Sequence, residues 1–360
     1  MKKILVLLLI TINLIPYKCS ALSAQSAVLI DSASGRVLYE HNAHQKLPMA
    51  STTKIMTGLL ASESGKLSET VKTSAFASGT EGSSLWLKIG EKQTLENLTY
   101  GLMLKSGNDA AVAISEFLGG NTDAFALMMN KRAKEIGAVN TNFKNPHGLD
   151  AEDHFTTAYD LALIAREAMK NKKFREIVET KNYSIPLEGE KWDRALKNHN
   201  KLLWMYEGCN GIKTGYTKKC GRCLVSSANR NGQEIICVTL NAPDDWNDHK
   251  YLLDYGFENY TLKTAVKNGE RMGKIINGEK GVFLISKNDV SVAVKDGEEV
   301  TVKTTVDKDI PVKKGEVAGK LEVYINGEKA GETELVAEKT VKRPGIWEKI
   351  KNFFLKIFSK

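Results

Sequence analysis

Hydrophobic and polar positions divide the chain into blocks of different period. Ala27-Val-Leu-Ile-Asp31 and Arg36-Val-Leu-Tyr-Glu40, separated by Ser32-Ala-Ser-Gly35, read as a β-hairpin. After Pro48, the apolar residues Ile55, Met56, Leu59 and Leu60 recur at helical spacing. The stretch 95–170 is mostly helical: Leu98, Leu102, Ala110, Ala113, Ile114 and Leu118 keep the period, which continues through 125–136 and 161–169. Past residue 200 the pattern turns to strands. Cys223–Ala228 and Glu234–Leu240, joined by Asn229-Arg-Asn-Gly232, form a second predicted hairpin, and 249–255 is helical again. Strand pair, helical block, strands and closing helix predict one α/β (α+β) domain over 24–260.

Over 261–340 the runs become short and alternating, as in Val290–Val294, Val300–Val302 and Leu321–Ile325. The dipeptides Asn277-Gly278, Asp296-Gly297 and Asn326-Gly327 read as hairpin turns, which predicts a small all-β domain serving as a spacer or an interaction module. Beyond Pro344-Gly345, apolar residues at 346, 347, 350, 353, 354, 357 and 358 make a single helical stripe with lysines opposite. That tail, 345–360, suits lying in a membrane interface, or packing on a domain or a second subunit. At the other end, Lys2-Lys3 precedes an apolar run over 4–15, too short to span a bilayer. With small residues at 19–23, it reads as a signal peptide over 1–23, cleaved after Ala21 or Ser23; a buried strand is the alternative. The expected location is the outer face of the cytoplasmic membrane.

Charge changes the picture in one respect. The net charge of +8 resides at the ends, +3 in 1–21 and +5 in 342–360, leaving 22–341 neutral. A neutral body with two basic ends does not look like a nucleic-acid binder, which needs a basic face on its folded domain. Four cysteines remain beyond the leader, Cys209, Cys220, Cys223 and Cys237, and Cys220-Gly-Arg-Cys223 has the spacing of a disulfide, a zinc half-site or two structural thiols.

Among all lysines only Lys54 has a serine three positions earlier, Ser51. On a helix that spacing puts the amine within reach of the hydroxyl, and a lysine of lowered pKa can then activate the serine as a nucleophile. About one such pair is expected by chance, and a plain helix cap explains it equally well. Ser106-Gly-Asn108 lies on a glycine-containing break before a helix opening at Asp109, where a hydroxyl and an amide can relay a proton and hold an amide. Lys213-Thr214-Gly215 is the one K-T-G in the chain, directly before the second hairpin, and can bind a carboxylate at a strand edge. S-x-x-K, S-x-N and K-T-G in this order are the signature of penicillin-interacting serine enzymes.

The chain resembles the serine-type D-alanyl-D-alanine carboxypeptidases, low-molecular-mass penicillin-binding proteins, through 48–54, 105–110, His147-Gly-Leu-Asp150, 210–217, the β domain and the tail. The resemblance implies a penicillin-binding, β-lactamase-like fold with an antiparallel sheet beside a helical lobe. It implies that Ser51 is acylated by a peptidoglycan stem peptide or a β-lactam, that Lys54 is the base, and that Ser106 and Asn108 assist. It also implies carboxylate binding by Lys213 and Thr214, with Gly215 lining the edge and the Ser51 and Tyr216 N–H groups holding the oxyanion, without metal or cofactor. Members of that family often carry an arginine after the second hairpin strand, whereas 240–248 has no basic residue. The segment 213–248 resembles a sporulation-associated branch. Competing readings are a class A β-lactamase-like hydrolase, for which no suitable E-x-x-L-N precedes Lys213, and a wall-binding protein with an inactive fold. A zinc peptidase would have to use His147, Asp150 and His154, without an H-E-x-x-H motif.

Overall fold

β1 (Ser26–Asp31) and β2 (Val37–His41) form the first predicted hairpin, Ala27 opposite His41 and Ile30 opposite Val37. The computed structural model describes residues 22–187, 189–277 and 280–342, so the expected leader up to residue 21 and the tail over 345–360 lie outside the described residues. A single 3₁₀ turn, Ala50–Thr53, then leads into α1 (Lys54–Glu63). Two short strands, β3 (Thr70–Lys72) and β4 (Lys92–Thr94), pair around α2 (Ala75–Ser78).

The helical lobe continues with α3 (Leu95–Leu104), α4 (Asn108–Gly119) and α5 (Thr122–Ile136), followed by α6 (Ala158–Lys170) and α7 (Lys172–Glu179). Side-chain caps start most of these: Thr94, Asn121, Thr157 and Asn171 each accept from a backbone N–H in the first turn. α1 is buried on nearly all sides because α3, α4, α5, α6 and α7 all touch it. A small hairpin, β5 (Asn182–Ile185) and β6 (Arg194–Lys197), and the single turn α8 (Leu202–Met205) complete this side.

β7 (Cys209–Thr217), β8 (Gly221–Arg230) and β9 (Gln233–Leu240) finish an antiparallel sheet in the order β2-β1-β9-β8-β7, and α9 (Asp245–Asn259) packs against it. The K-T-G segment lies where the sequence reading put it, on a strand edge directly before the β8–β9 hairpin: it is inside β7, an edge strand hydrogen-bonded to β8. The sheet has a core on each face, and the strands feed both by alternation. Val28, Ile30, Val225, Ile236 and Val238 enter the core shared with the helical lobe. Ala27, Leu29, Leu224, Ile235 and Cys237 enter the core under α9. Burial on both faces is why these strands read as unbroken hydrophobic runs.

The C-terminal unit is all-β, as expected. β10 (Tyr260–Val266) pairs with β13 (Val290–Lys295). β11 (Arg271–Asn277), β12 (Lys280–Ser286), β14 (Val300–Val306), β15 (Val317–Ile325) and β16 (Glu328–Ala337) form a sheet in the order β11-β12-β16-β15-β14. Asn326-Gly327 turns β15 into β16. Asp296-Gly297 does not make a hairpin: β13 pairs with β10 and β14 with β15, so the dipeptide only redirects the chain between sheets. Arg36, just before β2, anchors this unit to the first by donating to Glu298 and, at 2.7 Å, to the Ala293 carbonyl. The Tyr260 hydroxyl adds a 3.0 Å bond to the Leu38 carbonyl.

Candidate active site

Ser51 and Lys54 sit on the 3₁₀ turn and the first residue of α1. A 3₁₀ turn eclipses i and i+3, and the Lys54 Nζ lies 3.0 Å from the Ser51 Oγ. Thr52 and Thr53 hold the turn by donating their hydroxyls to the carbonyls of Met49 (2.5 Å) and Ala50 (2.8 Å). Ala50 has φ +46, a left-handed backbone that costs a non-glycine residue about 1–3 kcal/mol and is found at functional sites.

Lys54 is fully buried, and its amine touches two further oxygens: Asn108 Oδ1 at 2.7 Å and the His147 carbonyl at 2.6 Å. Burial drives its pKa well below the usual lysine range. The Lys213 charge pushes it the same way, against Asp109. Both carbonyl oxygens can only accept. A neutral amine has two N–H groups for them and one lone pair left over, and the remaining neighbour is the Ser51 hydroxyl.

Asn108 opens α4, one residue earlier than the pattern suggested, and its Nδ2 donates to the Glu81 carbonyl at 2.6 Å, which fixes the amide orientation. Ser106, on the break between α3 and α4, has φ +62 and is buried; its hydroxyl makes no hydrogen bond among the described residues. Behind it, buried Asp109 accepts from the Ser84 hydroxyl and the N–H groups of Leu85 and Leu87, tying down the irregular stretch that carries exposed Trp86.

β7 meets the 3₁₀ turn. A methyl group built on Gly215 would lie 3.0 Å from the Ser51 nitrogen and 3.1 Å from that of Thr52, so this approach leaves no room for a side chain. Lys213, also fully buried, donates to the Thr214 carbonyl at 3.0 Å, and burial lowers its pKa to about 7. Thr214 is half-buried and Tyr216 is 64% exposed, flanking the edge. All four K-T-G-Y residues therefore line the strand beside Ser51. In 240–248, where a base is lacking, Asp245 pairs with Arg222 at 3.0 Å and Asp248 accepts from Ser23.

One contributor escaped the sequence reading, the main chain of the 145–150 loop. Asn145 Oδ1 accepts from the Gly148 N–H at 2.7 Å, which turns the His147 carbonyl toward Lys54. The His154 ring lies 2.8 Å from the Thr53 hydroxyl and accepts from the Lys144 N–H, so it braces the turn. His147 accepts from the Leu149 N–H; burial holds its pKa down to about 3, and it is neutral at pH 7. The signal in the sequence is Gly148. It has φ +91, and a methyl there would fall 1.9 Å from the Ala50 carbonyl oxygen. Gly148→Ala is expected to cost about 3 kcal/mol or more and to slow penicillin acylation at least tenfold, because the backbone beside Ser51 must move. Thermal unfolding and a stopped-flow acylation assay check this; a melting temperature within about 2 °C of wild type would refute it.

Residues 15–244 match a protein family described as D-alanyl-D-alanine carboxypeptidase, and 260–343 match one described as penicillin-binding protein 5, C-terminal domain. The D-alanyl-D-alanine carboxypeptidase DacF of Bacillus subtilis is 34% identical over 376 residues, covering 96% of each chain. DacC of Escherichia coli is 31% identical over 363 residues, covering 94% of this chain and 89% of the relative. The crystal structure of penicillin binding protein 5 from Haemophilus influenzae superposes with a TM-score of 0.76 at 28% identity, covering 90% of this chain and 98% of that one.

Proposed function

The chain belongs to the D-alanyl-D-alanine carboxypeptidase family and is a serine hydrolase of that activity; we propose that it works through an acyl-enzyme on Ser51 with Lys54 as general base. Peptidoglycan supplies its substrate, and β-lactams bind it. The observation that carries the residue assignment is the amine of Lys54, shared among two obligate acceptors and one hydroxyl.

The steps follow from that arrangement. Ser51 passes its proton to the Lys54 Nζ as its Oγ attacks the carbonyl carbon between the two D-alanines. The N–H groups of Ser51 and Tyr216 hold the resulting oxyanion, a type of interaction that contributes about 10²–10³ in rate. Support for this pairing is the close approach of Gly215 to the Ser51 nitrogen. Ser106, whose hydroxyl has no other partner among the described residues, returns the proton from Lys54 to the departing amine of D-alanine. Asn108 holds the peptide amide, and Lys213 and Thr214 grip the terminal carboxylate. Water then attacks the Ser51 ester and releases the shortened peptide.

Two buried lysines with opposite requirements give a pH test. Lys54 must be unprotonated and Lys213 protonated. The value of kcat/KM should therefore rise as Lys54 loses its proton, far below the usual lysine range, and fall above about 7 as Lys213 loses its own. Lys213→Arg, always charged, should remove the alkaline fall. A profile flat from about pH 5 to 9 would sink the assignment of both lysines.

The proposal extends to location: export, with the mature chain held at the outer face of the membrane by 345–360. Ser23 donates to Asp248 and Ala24 is buried, which favours cleavage after Ala21 over cleavage after Ser23. Lysines on the tail's polar side would each add about 1 kcal/mol on anionic lipid. Deleting 345–360 should move the protein from the membrane fraction to the soluble fraction; undiminished sedimentation with anionic vesicles would refute the anchor. Likeness of 213–248 to a sporulation-associated branch supports a sporulation role, which expression timing would test.

A further inference from the structure

Two of the four thiols in the described fold lie three residues apart at the rim of the site. Cys220 ends the turn that joins β7 to β8, and Cys223 lies on β8 directly opposite Gly215. The Cys223 Sγ lies 4.0 Å from the Pro48 carbonyl, three residues before Ser51. The Cys220 Sγ lies 3.0 Å from the Thr217 hydroxyl, which also accepts from the Cys220 N–H and itself donates to Asp150 at 3.0 Å. The two cysteines stand at the end of the turn and are buried in the same core. Cys209 and Cys237 are also free thiols, in the core under α9 and away from the turn. The mechanism above uses none of the four.

From these contacts we propose that Cys220 and Cys223 are a peroxide-oxidisable dithiol that closes to an intrachain disulfide and, when closed, slows acylation at Ser51. The two sulfurs have unequal tasks. The Cys223 thiol holds the Cys220 thiol down to about 7, whereas Cys220 and burial push Cys223 up. Cys220 is the nucleophile. It is itself buried, but Lys218 and Lys219 beside it in the turn are exposed, which suits an oxidant as small as a peroxide. The Cys220 thiolate attacks one peroxide oxygen; an S–O bond forms, the O–O bond breaks, and the departing hydroxide takes the thiol proton to leave as water. Cys223 then gives up its proton and attacks the Cys220 sulfur. The S–S bond forms, the S–O bond breaks, and the second hydroxide leaves with that proton as water. The thiols lose two electrons and the peroxide gains them.

Coupling to the site follows from position. A disulfide of about 2.05 Å draws Cys220 away from Thr217 and pulls Cys223 toward the turn. Cys223 is the cross-strand partner of Gly215, which has no slack against Ser51 and Thr52. A shift of a few tenths of an ångström in β8 therefore reaches the edge where the oxyanion and carboxylate are held.

The test treats the mature protein with hydrogen peroxide and follows mass, thiol alkylation and acylation by a fluorescent penicillin together. The expected result is a loss of about 2 Da, a peptide map joining 220 to 223, and roughly threefold slower acylation, restored by dithiothreitol. Cys220→Ser and Cys223→Ser should keep the untreated rate and lose its response to peroxide. Alkylation of both thiols after treatment, or oxidation that stops at sulfinic acid, would overturn the dithiol. A formed disulfide with unchanged acylation would overturn its control of the site. That control rests on the Ser51 reading, whereas mass and alkylation decide the thiol chemistry even if acylation occurs elsewhere.

Discussion

Ser51→Ala should release D-alanine from a stem pentapeptide at least about 10⁴-fold more slowly than wild type and form no covalent adduct with penicillin. The magnitude follows from what the hydroxyl does: without it no acyl-enzyme forms, and only the binding groups and the oxyanion donors remain to act on direct attack by water. Alanine removes a single oxygen from a half-buried side chain. Lys54 keeps its bonds to Asn108 and to the His147 carbonyl, so the fold should persist and melting should stay near that of wild type. A penicillin adduct on another serine, or retention of a tenth of the activity, would end the assignment.

Replacing Lys54 should be almost as damaging, and the choice of replacement separates charge from proton transfer. Lys54→Arg keeps a cation and several donors beside Asn108 and His147, but a guanidinium does not give up its proton at any working pH. If the amine acts as base, both Lys54→Arg and Lys54→Met lose about 10²–10⁴ in the acylation rate constant. If Lys54 only supplies positive charge, the arginine variant retains most of the rate. Burial makes the site unforgiving, since methionine leaves two carbonyl oxygens without their donor at about 1–3 kcal/mol each. Thermal unfolding should be measured beside the rate for this reason. Full acylation in either variant would transfer the role of base to another group.

Much of this was visible in the residue pattern, and the exceptions share a cause. The β1–β2 and β8–β9 hairpins, the helices of 95–170 and the β unit were legible because apolar periodicity is local. Asp296-Gly297 misled because a turn dipeptide says that the chain bends, not which strand it will pair with; β13 found β10 instead. The K-T-G segment was legible as a strand edge before the second hairpin, but its pairing with β8 was not, because pairing joins residues that a local pattern does not relate. The Lys54 partners divide in the same way. Asn108 was legible as a polar side chain at a helix start, whereas the His147 carbonyl was not, because every residue carries a carbonyl and only the fold aims this one.

The sequence alone determined the chemical groups, their order along the chain, the three-residue spacing that brings Ser51 to Lys54, and the kinship those motifs announce. Tertiary structure decided what makes the groups reactive. Residues 51, 108, 147 and 213 converge only because the sheet edge, the 3₁₀ turn and the α3–α4 break pack together. Burial in that convergence strips water from two lysines, and a pKa depends on desolvation and neighbouring charge, neither of which is a property of a residue's place in the chain.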